Sequence, residues 1–248
     1  FELRQVSLLD AQGRTAFSLP RIVVAVSPRS VWRLGFEQVY IENPDLEIRR
    51  LASGEIRVAG VVVREEAGTG ANAAADWIFS QGELVVRGGR VNWVDERGPR
   101  GKGPVEPLVL EQVDLVLRNP GRRHQLRLDA TPPAEWGDRF SVSGVFRRGL
   151  LSTHPGNWRD WRGQLFAEFL RVDVSRLSRY ADPGIELAAG NGAARTWVDI
   201  DAGEVAGVTA DLALAELDVR LDPRLQALAI ETVARRVGVR RLPGGLEF

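Results

Sequence analysis

Residues Trp77–Ala130 read WIFSQGELVVRGGRVNWVDERGPRGKGPVEPLVLEQVDLVLRNPGRRHQLRLDA, and the parsing of this stretch decides the fold. Apolar side chains recur at every second position: Val91 and Trp93, then Val113, Leu115 and Leu117, then Leu126, Leu128 and Ala130. Asn92, Asp114, Arg118, Arg127 and Asp129 fall between or beside them. A period of two sends alternate side chains to opposite sides of a sheet, which makes one face apolar and the other polar. The expected parse is one short helix followed by five short strands. Gly88-Gly89 is read as a hairpin turn and Asn119-Pro120-Gly121 as a second turn. In the segment ANAAADWIFSQ, Asn72 is the expected helix cap, with Ala73, Trp77 and Ile78 as an apolar stripe and Gly82 as the stop. A helix this short needs a sheet to dock on.

Working towards the N-terminus, FEQVYIENPDLEIRR reads as a hairpin. Val39 and Ile41 pair with Leu46 and Ile48 across Asn43-Pro44-Asp45, three residues that favour turns. This unit is similar to LVVRGGRVNWVDE, and repetition of a hairpin suggests a sheet that grows in one direction. FELRQVSLL and AFSLPRIVVAVS read as two strands around a turn at Gly13. Pro20 cannot donate to a ladder, which places it on an edge or at a bulge. SPRSVWRLG reads as a connector, Ser53-Gly54 as a turn into EIRVAGVVV, and residues 65–71 and the RGPRGKGPVEP segment as loops. Towards the C-terminus, HQLRLDATPP, RFSVSGVFRR and QLFAEFLRVDV are strands. Residues 149–163 are irregular, and Ser175–Ala181 is a short helix. Strands spaced at roughly 8–12 residues suggest an extended all-β architecture.

The chain has 248 residues, enough to bury a core without staples. With 44% hydrophobic and 27% charged residues it is globular, and a net charge of zero gives no electrostatic case for nucleic acid. The absence of cysteine excludes disulfides, thiolate metal sites and cysteine nucleophiles. Methionine is absent even at position 1, as expected of a processed product or a piece of a longer protein. Lys102 is the single lysine beside the arginines, and no apolar run approaches the ~20 residues needed to span a bilayer.

Residue patterns for chemistry are sparse. His124 and His154 lack metal-ligand spacing, and His124, at a strand start, is read as a surface histidine. There is no nucleophile elbow, phosphate loop or dinucleotide fingerprint. The pairs Asp95-Glu96 and Asp199/Asp201 have the composition, but no demonstrated geometry, of a glycosidase dyad. Trp32, Trp77, Trp93, Trp136, Trp158, Trp161 and Trp197 are scattered, and read as core or rim residues. No catalytic, metal or cofactor site is assigned.

The apolar face itself remains. Alternation fits a sandwich, in which two such faces cover each other, and equally a single curved sheet whose face lines a groove. A strand of seven residues is ~23 Å long, against about 15 Å for one leaflet of a ~30 Å hydrocarbon core.

Five segments in order carry a resemblance: LPRIVVAVSPRSVWRLGFEQVYIENPDLEIRRLASGEIRVAG, DWIFSQGELVVRGGRVNWVDER, PLVLEQVDLVLRNPGRRHQLRLDATPP, WRGQLFAEFLRVDVSRLSRY and GNGAARTWVDI. Together they resemble the YhdP branch of the AsmA-like proteins, which are related to TamB and similar to bridge-like lipid-transfer proteins. The resemblance implies a mainly β fold: an elongated, curled antiparallel sheet forming a groove, with short docked helices. It implies one groove segment over residues 1–248, with sub-units 1–64 (N-terminal hairpins) and 71–248 (helix plus β-meander). The implied role is non-enzymatic phospholipid transport between inner and outer membranes, without cofactors. The chain would lie in the periplasm, anchored to the inner membrane by an upstream helix outside it. Expected partners are phospholipid acyl chains, the remainder of the same polypeptide, and inner- and outer-membrane proteins. The candidate groove-lining residues are Val39, Ile41, Leu46, Ile48, Val91, Trp93, Val113, Leu115, Leu117, Leu126, Leu128, Phe140, Val142, Leu212 and Leu214. Two other readings are an envelope scaffold that binds proteins by strand addition and a carbohydrate-binding sandwich.

Overall fold

The computed structural model describes residues 2–9, 15–26, 36–58, 61–63, 69–98, 103–177, 186–220, 226–242 and 245–247. Their strands join in one large, open, curled sheet. The C-terminal part is a plain meander. Strands β7 (Glu83–Asp95), β8 (Val105–Arg118), β9 (Arg123–Thr131), β10 (Phe140–Arg148), β11 (Trp161–Asp173), β12 (Glu186–Asp201), β13 (Glu204–Arg220), β14 (Leu228–Leu242) and β15 (Gly245–Glu247) follow in sequence and in space. Every neighbouring pair in this run is antiparallel.

The N-terminal part is built differently. Here β3 (Gln38–Glu42) and β4 (Asp45–Arg50) lie end to end, and both pair in parallel with β7. Along their other side runs β2 (Thr15–Ala25), antiparallel to both, with β1 (Glu2–Leu9) beyond it. Next to the last three residues of β4 come β5 (Ile56–Val58) and then β6 (Val61–Val63). The sheet is therefore mixed rather than purely antiparallel.

This arrangement corrects the expected hairpin of Val39 and Ile41 with Leu46 and Ile48. Val39 and Ile41 pair instead with Leu84 and Val86, and Leu46 and Ile48 with Val91 and Trp93. The Asn43-Pro44 break does not reverse the chain because β7 satisfies its backbone groups. The Asn43 N–H donates to the Arg87 carbonyl and the Arg90 N–H to the Pro44 carbonyl, both at 2.8 Å. Gly88-Gly89 makes no turn either. β7 runs straight through it for 13 residues with a bulge, its Gly88 N–H held by Asp114 Oδ1 at 3.0 Å. The stretch therefore contains three long strands, not five short ones. The internal repeat is real but is not a duplicated hairpin: its two copies are parallel neighbours, in one register from Val39–Leu84 to Arg50–Asp95.

Pro20 lies inside the sheet, not on an edge. On β2 it falls between Arg21, which faces Glu42, and Ser18, which faces Asp45, at the gap between β3 and β4 where no ladder donor is required. Helix α1 (Thr69–Ser80) begins three residues before Asn72, so Asn72 is helical and not the cap. Helix α2 (Val174–Leu177) starts one residue before the expected Ser175. The rest of that expected helix, the turn at Gly13, the 27–35 connector and residues 99–102 of the Arg-rich loop lie outside the described residues.

Candidate functional site: one continuous apolar face

Pairing register aligns the apolar positions of successive strands into rows that cross the sheet. One row runs Ile22, Ile41, Val86, Leu115, Leu128, Val142, Ala167, Thr196, Ala210, Val237, one residue from each of ten strands. A second runs Val39, Leu84, Leu117, Leu126, Gly144, Leu165, Val198, Val208. With strands ~4.8 Å apart, the first row is about 43 Å long.

Bulges keep the rows on one face. At Gly88-Gly89 the ladder slips on β7, and at Gln112 (φ 48°) it slips on β8, so that Val91 still meets Leu110 and Trp93 meets Leu108. All fifteen candidate residues therefore share this face: Leu46 and Ile48 beside Val91 and Trp93, Val113 opposite Gly89, Phe140 opposite Ala130, Leu212 opposite Ala194 and Leu214 opposite Gly192. Val39, Val113, Leu117 and Leu214 are buried, while the other eleven are half-buried. Among the described residues no second sheet covers them.

Among the described residues, helical cover lies near the strand ends. At one end α1 lies over the β8–β11 termini. Its Phe79 meets the Trp161 ring edge-on (4.6 Å between centroids) and the His124 ring likewise (5.2 Å). His124 and Trp161 stack at 4.4 Å, and Phe146 lies 5.5 Å from Trp161. Phe79, and not the half-exposed Trp77, is thus the docking side chain that sequence inspection missed. It sits one residue beyond the last member of the assigned stripe, Ile78, and carried no separate signal. Asp76 ties α1 to the β10–β11 loop, with Oδ2 at 2.7 Å from His154 Nδ1 and Oδ1 accepting from the Gly156 N–H at 2.7 Å. At the opposite end α2 covers Val172, Ala194 and Leu214, with Val174 itself buried among them.

His124 is buried, 1% exposed, which corrects its reading as a surface histidine. Asn119 Nδ2 donates to the Gln81 carbonyl at 2.9 Å, which leaves Asn119 Oδ1 as the acceptor for His124 Nδ1–H at 2.7 Å. Burial, with help from the Arg148 charge, pushes the His124 pKa down to about 4.

The other face is polar and laced with ion pairs: Arg139–Asp114 (2.9 Å), Arg195–Glu168 (2.8 Å) and Arg236–Asp211 (2.5 Å). The carboxylates considered as a dyad have structural partners. Asp95 is fully buried on Arg50, Glu96 lies 2.9 Å from Arg49, Asp201 2.6 Å from Arg162, and Asp199 accepts from Gln164 at 2.8 Å. The tryptophans are divided among environments: Trp93 is on the apolar face, Trp197 packs on Phe166 and beneath Arg236, and Trp136 and Trp161 are buried. Among the described residues no His/Cys/Asp/Glu group is placed to hold a metal, and no helix is long and apolar enough to cross a membrane.

Two comparisons bear on the chain as a whole. The family model described as YhdP protein matches residues 1–248. No curated protein matches.

Proposed function

Since this chain belongs to the YhdP family, we propose that its open apolar face is a track for acyl chains, along which phospholipids pass between inner and outer membranes without chemical change. Family membership agrees with lipid transport in general; the phospholipid cargo is inferred from the face itself. The observation that carries the reading is the row from Ile22 to Val237, apolar on nearly every strand and, among the described residues, without a covering sheet. Monomeric proteins rarely leave apolar patches larger than a few hundred Å² open to water. A track of about 43 Å exceeds the ~15 Å depth of one leaflet more than twofold.

The chemistry suits a cargo that slides. Acyl chains gain dispersion and hydrophobic contact without directional bonds, so adjacent positions along the row are nearly equivalent in energy. Charged residues paired on the opposite face keep the exterior in water. On this reading the chain sits in the periplasm, held by an upstream membrane anchor, and its partners are acyl chains, the remainder of its polypeptide and membrane proteins at either end.

The test is lipid content. The protein, purified from a Gram-negative host and extracted with organic solvent, is expected to release phospholipid. Leu115→Asp with Leu128→Asp places two charges side by side on the track and is expected to abolish lipid content while the fold persists. A wild-type protein free of lipid, or a folded variant with unchanged lipid content, would sink the reading.

A further inference from the structure

We propose that the rim formed by the β8–β9 turn, the end of β10 and the β10–β11 loop docks on a phospholipid surface, its arginines on headgroup phosphates and Leu150-Leu151 in the acyl layer. The choice of phospholipid rests on the track reading above. The surface itself is argued from charge and exposure.

A cleft of about 1410 Å³ opens at this rim, lined by Arg122, Arg123, Arg147, Arg148, Arg159 and Arg162. Three of them oppose each other directly on adjacent strands, Arg123 to Arg147 on β10 and Arg147 to Arg162 on β11. Like charges in direct opposition destabilise a sheet. Elsewhere on the polar face arginines meet carboxylates, as Arg195 meets Glu168 and Arg236 meets Asp211. Here the supply is short. Asp201 engages Arg162, and Asp160 accepts from Ser152 at 2.8 Å and Asn157 at 2.9 Å. Among the described residues no carboxylate lies within ion-pair range of Arg122, Arg123 or Arg147. A chain of zero net charge thus concentrates unneutralised guanidinium groups at one place. Phosphate oxygens match that geometry, because a guanidinium fork binds them bidentately.

The second observation is apolar. Leu150 is 80% and Leu151 95% exposed, next to each other at the tip of the loop that borders the cleft. Trp158, half-exposed, lies beneath the Arg159 guanidinium at 5.6 Å. The loop is not free to fold these leucines away, since His154 and Gly156 pin it to Asp76 of α1. Leucine at the tip, tryptophan at the flank and arginine around both is the composition of a segment that sits at a lipid–water interface. An acidic protein would satisfy the arginines and leave the leucines in water, so the lipid surface accounts for more of what is there.

The experiment is flotation of the purified protein with two vesicle types, phosphatidylethanolamine with phosphatidylglycerol, and phosphatidylcholine alone. Binding is expected to the anionic vesicles and to weaken with added salt. Leu150→Ser with Leu151→Ser, and separately Arg123→Gln with Arg147→Gln, should each weaken it about tenfold. All four positions are exposed, and unchanged thermal unfolding checks that the variants fold. The proposal is overturned if wild type does not float, if either variant floats like wild type, if inorganic phosphate alone competes fully, or if polyglutamate binds the rim while vesicle binding is unaffected by both variants. The two lipid readings fail separately. Leu115→Asp with Leu128→Asp should lose co-purified lipid but keep flotation, and the rim variants should do the reverse.

Discussion

Asn43 and Gly88 stand side by side on parallel strands, both with left-handed backbones, φ 47° and 63°. A Cβ on Gly88 would come within 2.5 Å of the Asn43 side-chain oxygen. The paired irregularity breaks β3–β4 and bulges β7 at the same level, so both strands change course together. Gly88→Val is expected to destabilise the protein by about 2–3 kcal/mol, from the cost of a β-branched residue at positive φ and the displaced Asn43. Urea denaturation monitored by tryptophan fluorescence measures it, and an unchanged midpoint would contradict the account.

Asp95 anchors the far end of the same strand pair. Burial alone would raise its pKa, but Arg50 on β4 and the N–H groups of Gly98 and Arg97 outweigh it and hold the carboxyl below its usual value. A carboxyl lowered on folding adds stability above its unfolded pKa of about 3.9, and that stability is lost as pH falls through the folded value. Asp95→Asn should cost about 2 kcal/mol at neutral pH, since Arg50 keeps partial access to solvent. It should also flatten the stability profile below about pH 4 relative to wild type. Thermal melts across the acid range compare the two.

His124 governs a different window. Its folded pKa of about 4 lies below the unfolded value near 6.5. Between these values the unfolded chain binds a proton that the folded chain does not, so stability falls as pH drops from 6.5 towards 4. The loss across that window is about 3 kcal/mol at most. His124→Phe keeps a ring against Trp161 but leaves Asn119 Oδ1 without its donor. We expect about 1–2 kcal/mol of destabilisation at neutral pH, and loss of the slope above pH 4. Chemical denaturation at a series of pH values reads both; a slope retained in the variant would assign it to other groups.

Gly156 is where the β10–β11 loop touches α1. A Cβ there would fall 2.4 Å from the Ala75 carbonyl carbon and the Asp76 nitrogen, backbone atoms that cannot turn aside. Gly156→Ala should lift the loop from the helix, at about 1–3 kcal/mol. Hydrogen exchange should quicken in α1 and in the loop, with β12–β13 amides unaffected. Uniform acceleration throughout the sheet would argue against local undocking.

Alternation made the apolar face legible. The fifteen positions from Val39 to Leu214 share a side because a period of two survives bulges that slip one residue on each strand in turn. Pairing was less legible. VYIENPDLEIRR and LVVRGGRVNWVDE each look like a hairpin because Asn-Pro and Gly-Gly favour turns locally. What kept them extended was a long-range partner, β7 for the first and β8 with its Asp114 for the second. His124 was illegible for a similar reason. Its environment comes from Phe79, Trp161 and Asn119, of which only Asn119 is near in sequence. The arginine rim depends on cross-strand opposition, so it too appears only once register is known.

From β7 onward the sheet lengthens by one hairpin at a time, and each hairpin adds two strands, or about 10 Å, to the rows. Because strands are added in pairs joined at their ends, the apolar side stays on the same side whatever their number. The chain therefore works as a ruler. Excising β12 and β13 with their turn would shorten the apolar rows by about 10 Å without inverting them, whereas removing a single strand would force the next connection across the face. Reach and polarity are in this way set by separate features of the sequence, hairpin number and residue alternation, and one can change without disturbing the other.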